Sequence, residues 1–385
     1  MYEVIVVGLG AMGSASVYQL AKRGQRVLGV DRWRPPHAFG SSHGDTRVSR
    51  QAIGEGEAYV PLVLRSHEIW RDLEAQLHQT LLTPCGALIL SPKEGAAVHH
   101  GKENFLARTI AAAQRYDIDH EVLDTQDIAK RFPQYLLAGD ELGYFEPGAG
   151  YVHPELAIGG QLELAQTAGA ELHYHERFLG FEERSDHLIV RSDRAEYRCE
   201  QLVLSAGAWI QGLLPEGYKN LFQIYRQVLY WYEVDKPQRF HESHSPVFMW
   251  MHGDSAEDYV YGFPVLEGER LLKVSTSSYQ QSIDPEELDR NVHQEEIDAM
   301  FRRHLQGRLR GVRPHSPKTA ACMYTNTLDS DFIIDRHPES SRVLLVSACS
   351  GHGFKHSAAL GESVAQLILD EVREGAWGEF GLKRF

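Results

Sequence analysis

The chain has 385 residues, room for two or three domains at about 150 residues each, and its 43% hydrophobic and 24% charged content is that of a globular protein, which excludes a disordered or fibrous one. A formal charge of −14 opposes nucleic-acid backbones and anionic membrane surfaces, and no basic patch counters it. Cys85, Cys199, Cys322 and Cys349 lie far apart without a CxxC pair, which argues against a metal cage or a disulfide scaffold and leaves a small-molecule role.

In chain order, Met1, Tyr2 and Glu3 pass directly into the apolar strand Val4 to Val7 without a basic leader, and no apolar run approaches the ~20 residues of a membrane span, so a cytoplasmic protein is expected. Ala11 to Arg23 has helical spacing and Gln25 to Val30 is apolar again, a strand-helix-strand unit of the kind that opens a nucleotide-binding domain. Gly8, Gly10 and Gly13 form GxGxxG at the first turn, and Asp31 closes the next strand 18 positions after Gly13. Glycines so placed permit a tight turn, backbone approach to a pyrophosphate at a helix N-terminus and close helix packing, while the acid accepts a ribose hydroxyl. The pattern alone does not separate NAD from FAD.

Val60 to Gln79 is expected as a second helix, with Leu64, Ile69, Trp70, Leu73 and Leu77 on its apolar face and His67, Arg71 and Glu74 solvated. Mixed signals from Thr83 to Phe145 and the aromatic, β-branched run Tyr225 to Val234 indicate a second domain with much sheet. Between them, Pro154 to Ala168 reads as a helix, and Gln201 to Ser205 as a strand running into Ala206-Gly207-Ala208-Trp209, which returns the chain to the nucleotide domain. Arg342 to Ala348 (strand), Ser350 to Gly353 (glycine turn) and Phe354 to Val372 (helix) close the chain. The fold class expected is α/β: a Rossmann-like domain formed by 1–80, 150–217 and 318–385, interleaved with a smaller α+β domain, 81–149 and 218–317, containing a mixed or antiparallel sheet.

Three longer stretches carry more information. GSSHGDTRVSRQAIGEGEAYVPL (Gly40 to Leu62), AACMYTNTLDSDFIID (Ala320 to Asp335) and SGHGFKHS (Ser350 to Ser357), together with the fingerprint, resemble in this order the monomeric sarcosine oxidase and N-methyltryptophan oxidase family. The resemblance spans nearly the whole chain. It implies FAD as cofactor, a monomer, and oxidation of a small secondary amino acid, N-methyl or cyclic, to an imine, with oxygen reduced to hydrogen peroxide. In that family the cysteine of the CMYT stretch is bonded to the 8α-methyl of the flavin, which places the link on Cys322; a thiolate is nucleophilic enough for that methyl near neutral pH. The resemblance also implies that Lys355 and Arg50 hold the substrate carboxylate, that Tyr324 and Tyr261 line the substrate site, and that Lys273 promotes the reaction with oxygen by stabilising developing superoxide.

Gly351, His352 and Gly353 are expected to aim backbone N–H groups at the flavin N1–C2=O edge, with His352 a positioner rather than a base. Further cofactor contacts are assigned to Ala11, Met12 and Arg32 beside the fingerprint, and to His43, Thr46 and Arg47 in the first long stretch. Phe178, Gly207 and Phe354 complete the cofactor set, and no metal is required.

On its own, Lys355 falls in the first turn of an expected helix, where a cation opposes the dipole and marks function. Taken alone, Lys273 reads as an edge-strand lysine, Cys322 as an apolar core residue, and the two tyrosines as core tyrosines. Sarcosine oxidases carry a histidine where this chain has Ser277 and a tyrosine where it has Ile53, which implies a pocket reshaped for another side chain or ring. Two rival readings are a flavin dehydrogenase feeding a protein or quinone acceptor, and a flavoprotein without catalysis. Lys273 favours the oxidase over the first, and the intact Cys322, Lys355 and Arg50 set argues against the second.

Overall fold

The computed structural model describes residues 1–93, 98–253, 255–369 and 378–385. Tyr2–Val7 and Val27–Asp31 are parallel neighbours joined by the helix Ala11–Lys22. Alternation along the first strand sends Val4 and Val6 into one core and Ile5 and Val7 into another, which is why the strand is apolar throughout. The eight-stranded first sheet runs Phe178–Glu183, Leu188–Ser192, Glu196–Leu204, Tyr2–Val7, Val27–Asp31, Glu171–Tyr174. Glu196–Leu204 is shared: its first half pairs antiparallel with Leu188–Ser192, and its last residues pair parallel with Ser340–Ser347, which carries Ile333–His337 beside it.

The helix Ala11–Lys22 packs against both Pro154–Thr167 and Ser357–Ile368. A Cβ on Gly361 would lie 2.4 Å from the Ala15 Cβ, so a glycine there sets how closely the first and last helices approach. Segments from the start, middle and end of the chain therefore close one α/β layer.

The second sheet also has eight strands, in the order Lys318–Thr327, Phe222–Glu233, Leu271–Ser275, Tyr259–Gly262, Val247–Met251, Ala87–Pro92, Glu141–Glu146, Glu121–Leu123. It is mixed: Val247–Met251 runs parallel to Ala87–Pro92 and the other pairs are antiparallel. A small sheet of Arg47–Ser49, Gly150–Val152 and Leu82–Thr83 completes the set. Among the described residues, no helix is long and apolar enough to cross a membrane.

The structure departs from the sequence reading in four places. Lys318–Thr327 pairs with Phe222–Glu233 from Phe222↔Thr327 to Trp231↔Lys318, so the strand carrying Cys322 and Tyr324 belongs to the second sheet, not to the 318–385 portion of the first domain. Its partner lies about a hundred residues away, a pairing that local pattern cannot reveal. Lys273 is on an interior strand, flanked on both sides, rather than on an edge. His67 is buried in the helix Tyr59–Leu77 with Nε2 2.7 Å from Ser49 Oγ, because its helical face meets the small sheet instead of solvent. The last helix begins at Ser357, so Lys355 sits in a single 3-10 turn, Phe354–His356, leading into it; the expected extension of that helix beyond 369 lies outside the described residues.

Candidate functional site

A cavity of about 720 Å³ is walled on one side by the C-terminal ends of first-sheet strands, at Val7, Val30, Ser205 and Val346, and on the other by second-sheet residues including Met249, Tyr261 and Tyr324. Ligands of parallel α/β sheets bind at that end of the strands.

At one end the wall is mostly backbone. Gly8 has φ +83°, and a Cβ there would lie 2.5 Å from the Ser205 carbonyl oxygen; one on Gly13 would lie 1.7 Å from the Gly8 oxygen, whereas one on Gly10 meets nothing within 4 Å. Gly10 thus faces open space while its neighbours lock the turn. Ser205 Oγ donates to the Gly8 oxygen at 2.8 Å and braces it. The helix starting after Gly10 has no side-chain cap and no acid in its first turn, so the N–H groups of Ala11 and Met12 remain for an anion. Asp31 accepts from Leu9 N at 2.7 Å and Trp33 N at 2.8 Å and still has lone pairs for a hydroxyl. Phe178 and Gly207 line the same end, and Arg32 stands there paired with Glu286 and 4.7 Å from the Trp33 ring. This cradle fits the pyrophosphate and ribose of FAD.

Farther along, Gly351 has φ +79°, and a Cβ on Gly353 would lie 1.7 Å from the Ala348 oxygen, so this turn also requires glycine. His352 Nε2 donates to Ser330 O at 3.0 Å and its ring stacks 4.7 Å from Phe332. Burial pushes its pKa well down, leaving a fixed, neutral ring. Phe354 lines the cavity beside it.

Lys273 is 3% exposed, and its Nζ donates to the Gly44 oxygen, to Thr46 O at 2.7 Å and to Thr46 Oγ1 at 3.0 Å. Burial, then Arg47, pushes its pKa well below the usual lysine value. Lys273, Thr46, His43 and Cys322 lie behind the cavity wall, whereas Arg47, held by the Thr46 and Ser41 oxygens at 2.9 and 2.7 Å, faces it. His43 is buried with Nε2 unpaired, and burial lowers its pKa to about 3. Cys322 packs with Leu229 and Trp231; burial raises its thiol pKa, while Arg47 and Lys273 pull it down. Cys349, in contrast, lines the cavity and accepts from Thr325 N at 3.4 Å.

The far end is built from side chains. Arg50, 1% exposed, donates through one nitrogen to both Glu55 oxygens at 2.7 and 2.6 Å and through another to Ala52 O at 2.7 Å. Burial opposes the charged form of Glu55, yet Arg50, then Lys355 and the hydrogen bond from His100 Nδ1 at 3.2 Å, hold its carboxyl well below the carboxylate range. Lys355 donates to His352 O at 2.6 Å; burial lowers its pKa to about 7, with Glu55 opposing that shift. The hydroxyls of Tyr261 and Tyr324 stand 3.3 Å apart on the same wall, with Ser277 also lining it, while Ile53 is buried behind.

Sequence reasoning missed Glu55, His99, His100 and Ser205. Glu55 had a signal, an acid five positions beyond a motif arginine. The two histidines had none, since they reach the site from a segment without motif or periodicity. Glu55, His99 and His100 place ligand-type atoms within 4.8 Å of one another, but both Glu55 oxygens accept from Arg50, and a cation there would face that guanidinium.

A family model described as FAD dependent oxidoreductase matches residues 3–367. The monomeric sarcosine oxidase of Bacillus sp. (strain B-0618) is 37% identical over 386 aligned positions, covering 100% of this chain and 96% of that protein. The N-methyl-L-tryptophan oxidase of Citrobacter koseri is 33% identical, covering 100% and 99%. Among solved structures, NikD, an unusual amino acid oxidase essential for nikkomycin biosynthesis, superposes in its open form with a TM-score of 0.83 at 22% identity over 99% of this chain and 97% of that one. L-proline dehydrogenase from P. horikoshii superposes at 0.79 with 19% identity over 100% and 97%. These two likenesses speak to the fold.

Proposed function

The chain belongs to the FAD-dependent oxidoreductase family, and on that premise we propose that it oxidises a small secondary amino acid, N-methylated or cyclic, to an imine with oxygen as the electron acceptor. One observation carries the substrate class: two buried cations, Arg50 and Lys355, line the same cavity as the dinucleotide cradle. Relatives named for sarcosine and for N-methyltryptophan oxidation support the same class.

When held by the glycine cradle and Asp31, FAD would supply a two-electron acceptor for the C–H adjacent to the substrate nitrogen, and oxygen would take up those two electrons to become hydrogen peroxide. Everything else falls to the chain. Arg50 and Lys355 neutralise the substrate carboxylate with charge-assisted hydrogen bonds and so fix which C–H is presented. Glu55 aims the guanidinium, and its charge compensates a cation that would otherwise be buried alone. The hydroxyls of Tyr261 and Tyr324 are placed to position the amine, which reacts in its neutral form. Water then hydrolyses an N-methyl imine to formaldehyde and the primary amino acid, whereas a cyclic substrate leaves a ring imine.

Lys273 is assigned to the oxygen reaction, supported by its buried ammonium beside the 44–46 loop, and Cys322 to a thioether with the flavin, supported by its CMYT motif and by Arg47 and Lys273, which partly offset the burial that raises its thiol pKa. The protein is read as a monomer. The test is a panel of N-methyl and cyclic amino acids mixed with flavin-loaded protein without oxygen. The reading predicts bleaching by at least one of them and one peroxide per turnover when oxygen is restored; bleaching by none would overturn it.

A further inference from the structure

Lys273 is seated on the carbonyls of Gly44 and Thr46, so whatever shapes that turn also places the ammonium. Gly44 has φ +97° and Asp45 φ +70°, two successive residues in the left-handed region. Consecutive N–H groups in a tight turn can form a hollow that takes an anion. The anion here is Glu155, whose Oε1 accepts from Gly44 N at 2.6 Å and from Asp45 N at 3.3 Å. Glu155 lies in the first turn of the helix Pro154–Thr167, where the dipole favours an acid.

The Gly44 oxygen and the Asp45 N–H belong to one peptide group. Its oxygen accepts from Lys273 Nζ and its N–H donates to Glu155, so a single peptide dipole lies between an ammonium and a carboxylate and is aligned with both. Hydrogen bonds strung in this way polarise one another. The Phe263 and Trp231 rings, 4.4 and 5.6 Å from Nζ, complete the seat. A neutral amide at 155 would brace the turn; a carboxylate also acts on the charge beyond it. Burial, then Arg47, pushes the Lys273 pKa well down, and Asp45, Glu155 and Cys322 oppose that shift. Of these, Asp45 has a cation of its own, Lys318 Nζ at 2.6 Å, which lies 4.4 Å from the Trp231 ring. His43, on the same turn, is neutral, its pKa lowered by burial to about 3.

We propose that Glu155 is a positioning residue for the oxygen half-reaction: through the Gly44–Asp45 peptide it keeps the Lys273 ammonium charged and fixed in place. The proposal rests on the assignment of Lys273 to the oxygen reaction and adds the group that sustains its charge.

The test is Glu155→Gln, which keeps an oxygen for the turn and removes the charge. Two quantities are followed against pH in flavin-loaded protein: the Lys273 resonance in protein grown on lysine carrying 13C at Cε, assigned through Lys273→Met, and the rate at which reduced flavin is reoxidised by oxygen. The Lys273 midpoint is expected to move to lower pH in Glu155→Gln. Above that midpoint reoxidation should slow on the order of tenfold, the scale of one charge interaction inside a protein, with the difference closing as pH falls. Anaerobic reduction by substrate should change little. Glu155→Asp, which keeps the charge but draws it back by one methylene, should move the midpoint partway in the same direction, and it decides the matter where the Gln variant does not fold. An unmoved midpoint, or a slowing that is the same at every pH, overturns the proposal and leaves Glu155 a brace for the turn. Lys273→Met forms a separate arm: if both half-reactions slow equally there, the oxygen assignment itself fails and takes this inference with it.

Discussion

The two ends of the cavity are built by different means. The dinucleotide end is a backbone surface: Gly8, Gly10 and Gly13 lie within six residues, and what matters is the absence of a Cβ at each. The substrate end is a side-chain surface in which Arg50, Glu55, His100 and Lys355 arrive from three separate segments and are tied together through the Glu55 carboxylate. A site made of missing atoms is robust to the rest of the fold; one made of mutually compensating buried charges fails as a unit when any member is removed.

That contrast predicts a ranking of effects. Among side-chain replacements the largest belongs to the charge network: Arg50→Met leaves Glu55 buried without its cation, and loss of one partner of such a pair costs about 3 to 5 kcal/mol. Urea unfolding should show that loss, and substrate capture should collapse with it. Unchanged stability would mean that the network is not a unit.

Next comes oxygen. Lys273→Met should slow reoxidation of reduced flavin about a hundredfold, roughly 3 kcal/mol, while anaerobic reduction by substrate changes far less. The three hydrogen bonds of Lys273 to Gly44 and Thr46 supply the competing outcome, because if it serves only to hold that loop both half-reactions will slow together.

The backbone end can be probed with single methyl groups. Gly13→Ala drives a Cβ to within 1.7 Å of a carbonyl oxygen and should abolish folded, flavin-containing protein, whereas Gly10→Ala has space and should fold yet load less flavin. Flavin absorbance per protein distinguishes them, and equal loading in both would contradict the cradle.

Smallest is a pH effect. Lys355 gains its proton as pH falls through about 7, so the affinity of a simple carboxylate should strengthen from pH 9 to pH 6. Lys355→Met should flatten that slope. A slope that persists in the variant would assign it to another group.

The α/β layer was legible because its cues are local: a strand, three glycines, a helix and an acid in register within 31 residues. The second sheet was legible in kind but not in membership, since Lys318–Thr327 finds its partner at Phe222–Glu233 and reads in isolation as part of whichever domain follows. At the site, the motif residues Arg50, Lys355, Tyr261 and Tyr324 do face one cavity, while Lys273 and Cys322 stand behind its wall. His99 and His100 were invisible because nothing in their own segment records that they fold against Glu55, Phe105 and Tyr259. The cysteines show the same limit: motif points to Cys322 and exposure to Cys349, so denatured Cys322→Ala should lose its yellow colour while Cys349→Ala keeps it.

The central claim is that Arg50 and Lys355 act together on one carboxylate. It is tested most directly by comparing flavin reduction by an N-methyl amino acid with reduction by the matching amine lacking the carboxylate, in the unmodified protein, Lys355→Met and Arg50→Met. The account predicts that each variant loses about ten- to a hundredfold in capture of the acid, that the double variant loses less than the sum of the two losses, and that the amine, handled poorly by all, declines little further. Equal losses on the acid and on the amine would contradict it and leave these two cations as shapers of the flavin site.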